Sequence, residues 1–86
     1  MSYAPDVAPD AAAALRTLDF ETQEAVFDLL DRLVAEAPQL PDGLREHRVL
    51  VDAPPWRTSA ILWVVVSHSR RTVRLRAIAA LTRRVS

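Results

Sequence analysis

A single change of period governs what this chain can fold into. Through residues 20–37 the apolar side chains Val26, Leu29, Leu30, Leu33, Val34 and Ala37 recur three or four positions apart, which lines them along one face of an α-helix. Glu24, Asp28, Asp31, Arg32 and Glu36 fall mainly on the other face, with Asp28 and Arg32 in the favoured i, i+4 order. Asp19 is placed to cap the start of this helix. Pro38 ends it, because proline restricts Ala37 and brings no N–H to the ladder. Beyond the turn-rich QLPDG of residues 39–43 the period drops to two. A helical period followed by a strand period predicts an α+β fold, with two N-terminal helices packed on a three- to four-stranded antiparallel sheet.

The flanking segments complete the order. Residues 1–8 (MSYAPDVA) suit a brief strand, which Pro5 confines to a sheet edge. Pro9 and Asp10 suit the first turn of a short helix that runs through the alanines to Leu18. Across residues 45–52, His47, Val49 and Val51 alternate with Arg48, Leu50 and Asp52. Pro54 and Pro55 end that strand and leave Trp56 and Arg57 in a loop, where Trp56 caps the core by default, the alternatives being stacking on a base or anchoring a partner. Residues 60–66 (AILWVVV) are apolar on both faces, the mark of a central strand, with Trp63 in the core. Residues 67–71 (SHSRR) make a polar turn. Across residues 72–78, Thr72, Arg74 and Arg76 share one face and Val73, Leu75 and Ala77 the other. Residues 79–86 fit either an extension of that strand or a final helical turn. Eighty-six residues make one domain, spanning 1–86.

Composition narrows the function classes. Half of the residues are hydrophobic and only one is Gly, which indicates a packed globule. The chain has no Cys, which excludes a disulfide framework or a thiolate zinc site and fits a reducing compartment. It opens without the basic start and apolar run of a signal peptide, and its longest apolar stretch, residues 60–66, is far too short to span a bilayer. A cytoplasmic location is expected. Net charge is zero, but residues 1–46 hold ten acids and three arginines while residues 47–86 hold eight arginines and one acid. A basic C-terminal half suits phosphate or an acidic partner; the alternative is local cancellation, acidic helices beside basic strands.

Specific signatures are few. One Gly cannot build a phosphate-binding loop. Two histidines without Cys would need carboxylates to complete a metal site. Ser67, His68 and Ser69 are adjacent, whereas a catalytic triad converges from separate elements. Arginine carries the remaining signal. Arg70, Arg71, Arg74, Arg76, Arg83 and Arg84 crowd the last third of the chain, and guanidinium groups hold phosphate oxygens bidentately or stabilise a transferring phosphoryl group. His68, in the turn beside them, has an intrinsic pKa suited to acid–base work near neutrality. His47 stands beside Arg48 near a strand start.

These features coincide in one known family. The opening SYAPDVAPDAAAAL, the helical RTLDFETQEAVFDLLDRLVAEAP, and more loosely HRVLVDA, ILWVVVSHS and RRTVRLRAIAAL resemble the RelE/ParE superfamily of toxins from type II toxin–antitoxin systems, over nearly the whole chain. The resemblance implies two helices on a curved antiparallel sheet, a cognate antitoxin that wraps the toxin, and one of two activities. RelE-like members cleave mRNA on the ribosome without a metal or other cofactor; ParE-like members act on DNA gyrase. This chain departs from the pattern in having no Lys, in having Tyr3 as its only Tyr, and in placing Ala60 and Ile61 where the family commonly has a Tyr-Arg pair. On this resemblance the chain is expected to be a RelE-like endoribonuclease, with Arg74, Arg76 and His68 catalytic and Arg48, Arg57, Arg70, Arg71 and Arg83 binding RNA. Self-association is compatible with it. The alternative is a toxin-like binding protein that does not cleave, either a gyrase inhibitor or a module that only pairs with an antitoxin.

Overall fold

The first turn of the longest helix is fixed by its cap: the Asp19 side chain accepts the Thr22 N–H at 2.8 Å. In the computed structural model, which describes residues 2–85, this helix is α2 (Phe20–Glu36). It follows β1 (Ala4–Val7) and α1 (Pro9–Leu15). A single 3₁₀ turn (Ala37–Gln39) then leads into β2 (Gly43–Ala53), β3 (Trp56–Ser67) and β4 (Thr72–Arg84). Gly43 opens β2 with a φ of 116°, a conformation that side-chain-bearing residues rarely adopt.

The strands lie in the order β1-β4-β3-β2. β2, β3 and β4 form the expected antiparallel meander. β1 pairs with β4 in parallel, so the sheet is mixed where an antiparallel one was expected. Ala4 and Ala8 donate their N–H groups to Arg71 and Leu75 at 2.9 Å, and Pro5, between them on this edge, has no N–H to leave unpaired.

The helices cover one face of the sheet. Val26, Leu29, Leu30 and Leu33 of α2, with Ala11 and Leu15 of α1, pack against Ala60, Leu62 and Val64 of β3 and Val73 and Leu75 of β4. This layer satisfies the apolar stripe of α2 and the inward-facing residues of the two central strands together. Trp63 is not part of it. Trp63 points to the opposite, outer face and is half-buried there, since the β3 positions that face the helices are Ala60, Leu62, Val64 and Val66. Trp56 and Arg57 likewise belong to a strand, not to a loop: only Pro54 and Pro55 separate β2 from β3, and Ala53 pairs directly with Trp56. Trp56 is 47% exposed and caps no core.

β4 resolves the alternatives for the C-terminal segment by continuing as a strand to Arg84. It contains one bulge. Val64 pairs with Leu75 and Trp63 with Ala77, which leaves Arg76 without an opposite residue. From there the strand overhangs the helical layer, so every residue from Ala79 to Arg84 is exposed. The overhang draws the molecule out to 46 × 23 × 17 Å.

Candidate nucleic-acid interface

Two-residue alternation assigns Arg48, Arg57, Arg74 and Arg83 to the outer face of the sheet, away from the helices. On β2 the exposed positions are Leu44, Glu46, Arg48, Leu50 and Asp52. On β4 Arg74 is exposed between buried Val73 and Leu75, and Arg76 is exposed in the bulge. Beyond the bulge the parity reverses, so that Ala77, Ala79, Leu81 and Arg83 pair with Trp63, Ile61, Ser59 and Arg57 of β3. On the inner side of this overhang the Thr58 and Thr82 hydroxyls share a hydrogen bond at 2.8 Å, which fixes Arg57 and Arg83 to the outer side.

Arg57 and Arg83 are therefore direct cross-strand neighbours. Like charges in that relationship repel, and the arrangement concentrates positive potential at one place. The two arginines, with Ser59 and Leu81, line an open notch of about 290 Å³. One carboxylate partly offsets them: Arg57 Nε donates to Asp52 Oδ1 at 2.6 Å. Among the described residues Arg83 forms no ion pair, and neither does Arg76. Arg74 is held by the Asp6 carboxylate from the neighbouring edge strand β1. Arg48 lies 3.6 Å from Glu46 on its own strand, with both side chains largely in solvent.

Arg70 and Arg71 occupy the β3–β4 turn and are exposed. Arg71 has a φ of 53°, the left-handed conformation that closes this turn. The turn lies at the opposite end of the hairpin from the Arg57–Arg83 pair, separated by ten residues of β3, roughly 33 Å at strand rise. The expected arginines of the hairpin thus form a line along it, with Arg74 and Arg76 between its ends, while Arg48 lies off that line on β2.

His68 stands in the same turn, with both ring nitrogens occupied. Nε2 lies 2.6 Å from the Leu40 carbonyl, which can only accept, so Nε2 carries the proton. Nδ1 then accepts from the Tyr3 hydroxyl, whose ring meets the imidazole edge-on with centroids 5.6 Å apart. The backbone N–H of His68 donates to Asp42 at 2.8 Å. One histidine therefore joins the N-terminal lead-in, the α2–β2 linker and the β3–β4 turn. The Tyr3 contact gives no signal in the sequence, where the two residues stand at opposite ends of the chain.

His47 faces the helices from β2, and its Nε2 is buried without a hydrogen-bond partner, as is Nε of Arg45. Burial lowers the His47 pKa from its ordinary value of 6.5; Arg45 adds to this, Glu36 opposes it, and Arg32 lowers it further. Among the described residues no group of three or more His, Asp or Glu side chains is placed to hold a metal ion, and no helix is long and apolar enough to cross a membrane.

Neither a family model nor a curated protein sequence matches this chain. Solved structures do. A free-state form of the E. coli toxin RelE in which two arginines are replaced by alanine superposes with a TM-score of 0.67 at 18% identity, covering 92% of this chain and 83% of that one. The isolated E. coli RelE toxin gives a TM-score of 0.61 at 17% identity, over 99% of this chain and 86% of that one. The toxin in the intact E. coli RelBE toxin–antitoxin complex gives 0.61 at 17% identity, over 91% and 95%. The chain has a RelE-like fold.

Proposed function

We propose that this chain is the toxin of a type II toxin–antitoxin pair, that it acts in the cytoplasm by cleaving mRNA on the ribosome, and that a cognate antitoxin silences it. The RelE-like fold supports the toxin reading, and the RelBE complex among the similar structures supports the antitoxin. The observation that carries the nucleic-acid part is the Arg57–Arg83 pair: two guanidinium groups set side by side over an open notch, at a cost in mutual repulsion that a bound phosphate would relieve.

In this reading the ribose 2′-oxygen attacks the adjacent scissile phosphorus as the P–O5′ bond breaks, the 2′ proton is lost and the leaving 5′-oxygen gains one, giving a 2′,3′-cyclic phosphate and a 5′-OH; the protein contributes positioning and charge. Arg57 and Arg83 grip one phosphate. Arg76, unpaired in its bulge, and Arg74, once Asp6 releases it, stabilise the charge that develops on the phosphoryl oxygens. Arg48 tracks the backbone on one flank, and Arg70 and Arg71 extend the positive line along the hairpin. For His68 to serve as the acid–base group, Tyr3 must give up Nδ1, because the Leu40 carbonyl holds Nε2.

A second reading, a toxin-like module that binds without cleaving, rests on a different observation. Carboxylates already engage Arg48, Arg57 and Arg74, three members of the expected set. Induced expression of this chain alone in a bacterial host, with growth and mRNA 5′ ends followed together, separates the two. Growth arrest with new cleavages at ribosome-bound codons, lost in soluble Arg83→Ala and Arg76→Ala variants, is the expected result. Arrest without cleavage would overturn the nuclease reading and leave the binding module.

A further inference from the structure

We propose that two copies of this chain associate through the free edge of β2, antiparallel and two-fold symmetric about His47. The inference does not depend on the toxin reading.

The two edges of the sheet are built differently. The β1 edge is four residues long and contains Pro5, the short, proline-bearing form that stops a further strand from pairing. The β2 edge runs for eleven residues, Gly43–Ala53, without a proline, and its register against β3 is uninterrupted from end to end. A long, regular, unbulged edge is a template for another strand.

The side chains select the occupant and the register. With His47 on the symmetry axis, positions equidistant from it face each other. Glu46, which lies 3.6 Å from Arg48 of its own chain, then also meets the second copy's Arg48, and Leu44 meets the second copy's Leu50, each pair occurring twice. Leu44 and Leu50 are 56% and 62% exposed in the single chain, so this pairing covers apolar surface that is otherwise wet. On the helix-facing side, the second copy's Arg45 falls opposite Val49. There an open trough of about 680 Å³ between α2 and β2 is lined by Val49 together with Asp28, Asp31, Arg32 and Arg48. Arg45 has no ion-pair partner among the described residues, and this register places it near the Asp28 and Asp31 carboxylates, which share the trough with the Arg32 guanidinium.

Neighbouring registers lose these matches. Centring on Glu46 or on Arg48 sets each of those residues against its own copy, and centring on Val49 sets Glu46 against Asp52. Centring on Leu50 pairs Arg48 with Asp52, but Arg57 already holds Asp52 at 2.6 Å, Glu46 then meets Pro54, and Arg45 falls outside the ladder. At the axis the two His47 rings bring no like charge together near neutral pH, since burial, Arg45 and Arg32 outweigh Glu36 and disfavour protonation.

Sedimentation equilibrium of the purified chain tests the proposal, with Glu46→Arg and Arg48→Glu as paired variants. The wild-type chain is expected to double its mass with rising concentration. Each variant alone is expected to stay monomeric, and an equimolar mixture to regain the doubled mass, because each copy then carries the charges the other lacks. A second readout covers loss of fold in a charge variant. The chain has no Cys, so His47→Cys introduces a single thiol on the axis that should oxidise to a covalent dimer, whereas Leu50→Cys should not. A wild-type chain that remains monomeric at the highest soluble concentration overturns the proposal. So does a dimer indifferent to both charge reversals, or cross-linking through Leu50→Cys in preference to His47→Cys.

Discussion

Arg57 of β3 stands directly opposite Arg83 of β4 on the outer face of the sheet, beyond the reach of the helices. Two cations in that position oppose folding slightly, so stability and function should separate there. Arg83→Ala is expected to leave the unfolding free energy unchanged or raise it by up to about 1 kcal/mol. The same substitution should reduce mRNA cleavage by about 10- to 100-fold, the loss expected when one charge-assisted hydrogen bond to a gripped phosphate is removed. Urea denaturation and a ribosome-dependent cleavage assay on one protein preparation measure both. A stability loss proportional to the activity loss would mean that Arg83 acts by holding the strand.

The Asp6 carboxylate competes with RNA for Arg74. Both side chains are 45% exposed, so the ion pair itself contributes little, and Asp6→Asn should cost less than about 1 kcal/mol. Released from it, Arg74 should add one phosphate contact, steepening the salt dependence of RNA affinity by about one unit. Fluorescence anisotropy with a short single-stranded RNA across a salt series reads the slope directly.

His68 couples three segments through two ring nitrogens and one backbone N–H. Tyr3→Phe deletes only the hydroxyl that donates to Nδ1 and should cost about 1 kcal/mol. For a chain of this size that corresponds to a fall of about 4–8 °C in the melting temperature. If His68 is mainly a clasp, Tyr3→Phe in an already substituted His68→Ala background should add almost nothing, and a double-mutant cycle by thermal unfolding reports that coupling.

His47 makes stability depend on pH in a defined direction. Its folded pKa lies below 6.5, chiefly from burial, so the unfolded chain binds the proton more readily than the folded one. The contribution from keeping this ring neutral is fully present above pH 6.5 and is lost as the pH falls through that value towards the folded pKa. Urea midpoints at about pH 7.5 and about pH 5 should therefore differ more for the wild-type chain than for His47→Gln, once the carboxylates common to both are subtracted.

How much of this was legible in the sequence varies with the range of the interaction. α2 was legible almost to the residue, because a helix is written in local spacing and Asp19 and Pro38 mark its limits. The antiparallel meander followed from period-two segments separated by turn residues. Misreadings arose where local signals had two meanings. Pro54 and Pro55 read as the end of a strand and the start of a loop, yet they are the whole connection, and Trp56 begins the next strand at once. Trp63 read as core because its run is apolar throughout, but alternate positions of that run face away from the helices. The relationships that define the site were not legible at all. Arg57 with Arg83, Asp6 with Arg74, and Tyr3 with His68 depend on register and on the parallel placement of β1. The bulge left one trace, the end of alternation after Arg76, where residues 77–81 (AIAAL) are all apolar.

That extra residue in β4 works as a phase step in the chain's side-to-side alternation. Ahead of Arg76 the even-numbered Arg74 faces outwards; behind it the odd-numbered Leu81 and Arg83 do. Deleting Arg76 would close the bulge and seat Ala77 directly after Leu75 and still opposite Trp63, so Arg83 would stay opposite Arg57 and Thr82 opposite Thr58. The bulge is thus a local addition: it gives β4 one arginine with no residue opposite it, while the side chains before and after keep the faces that their pairing with β3 sets.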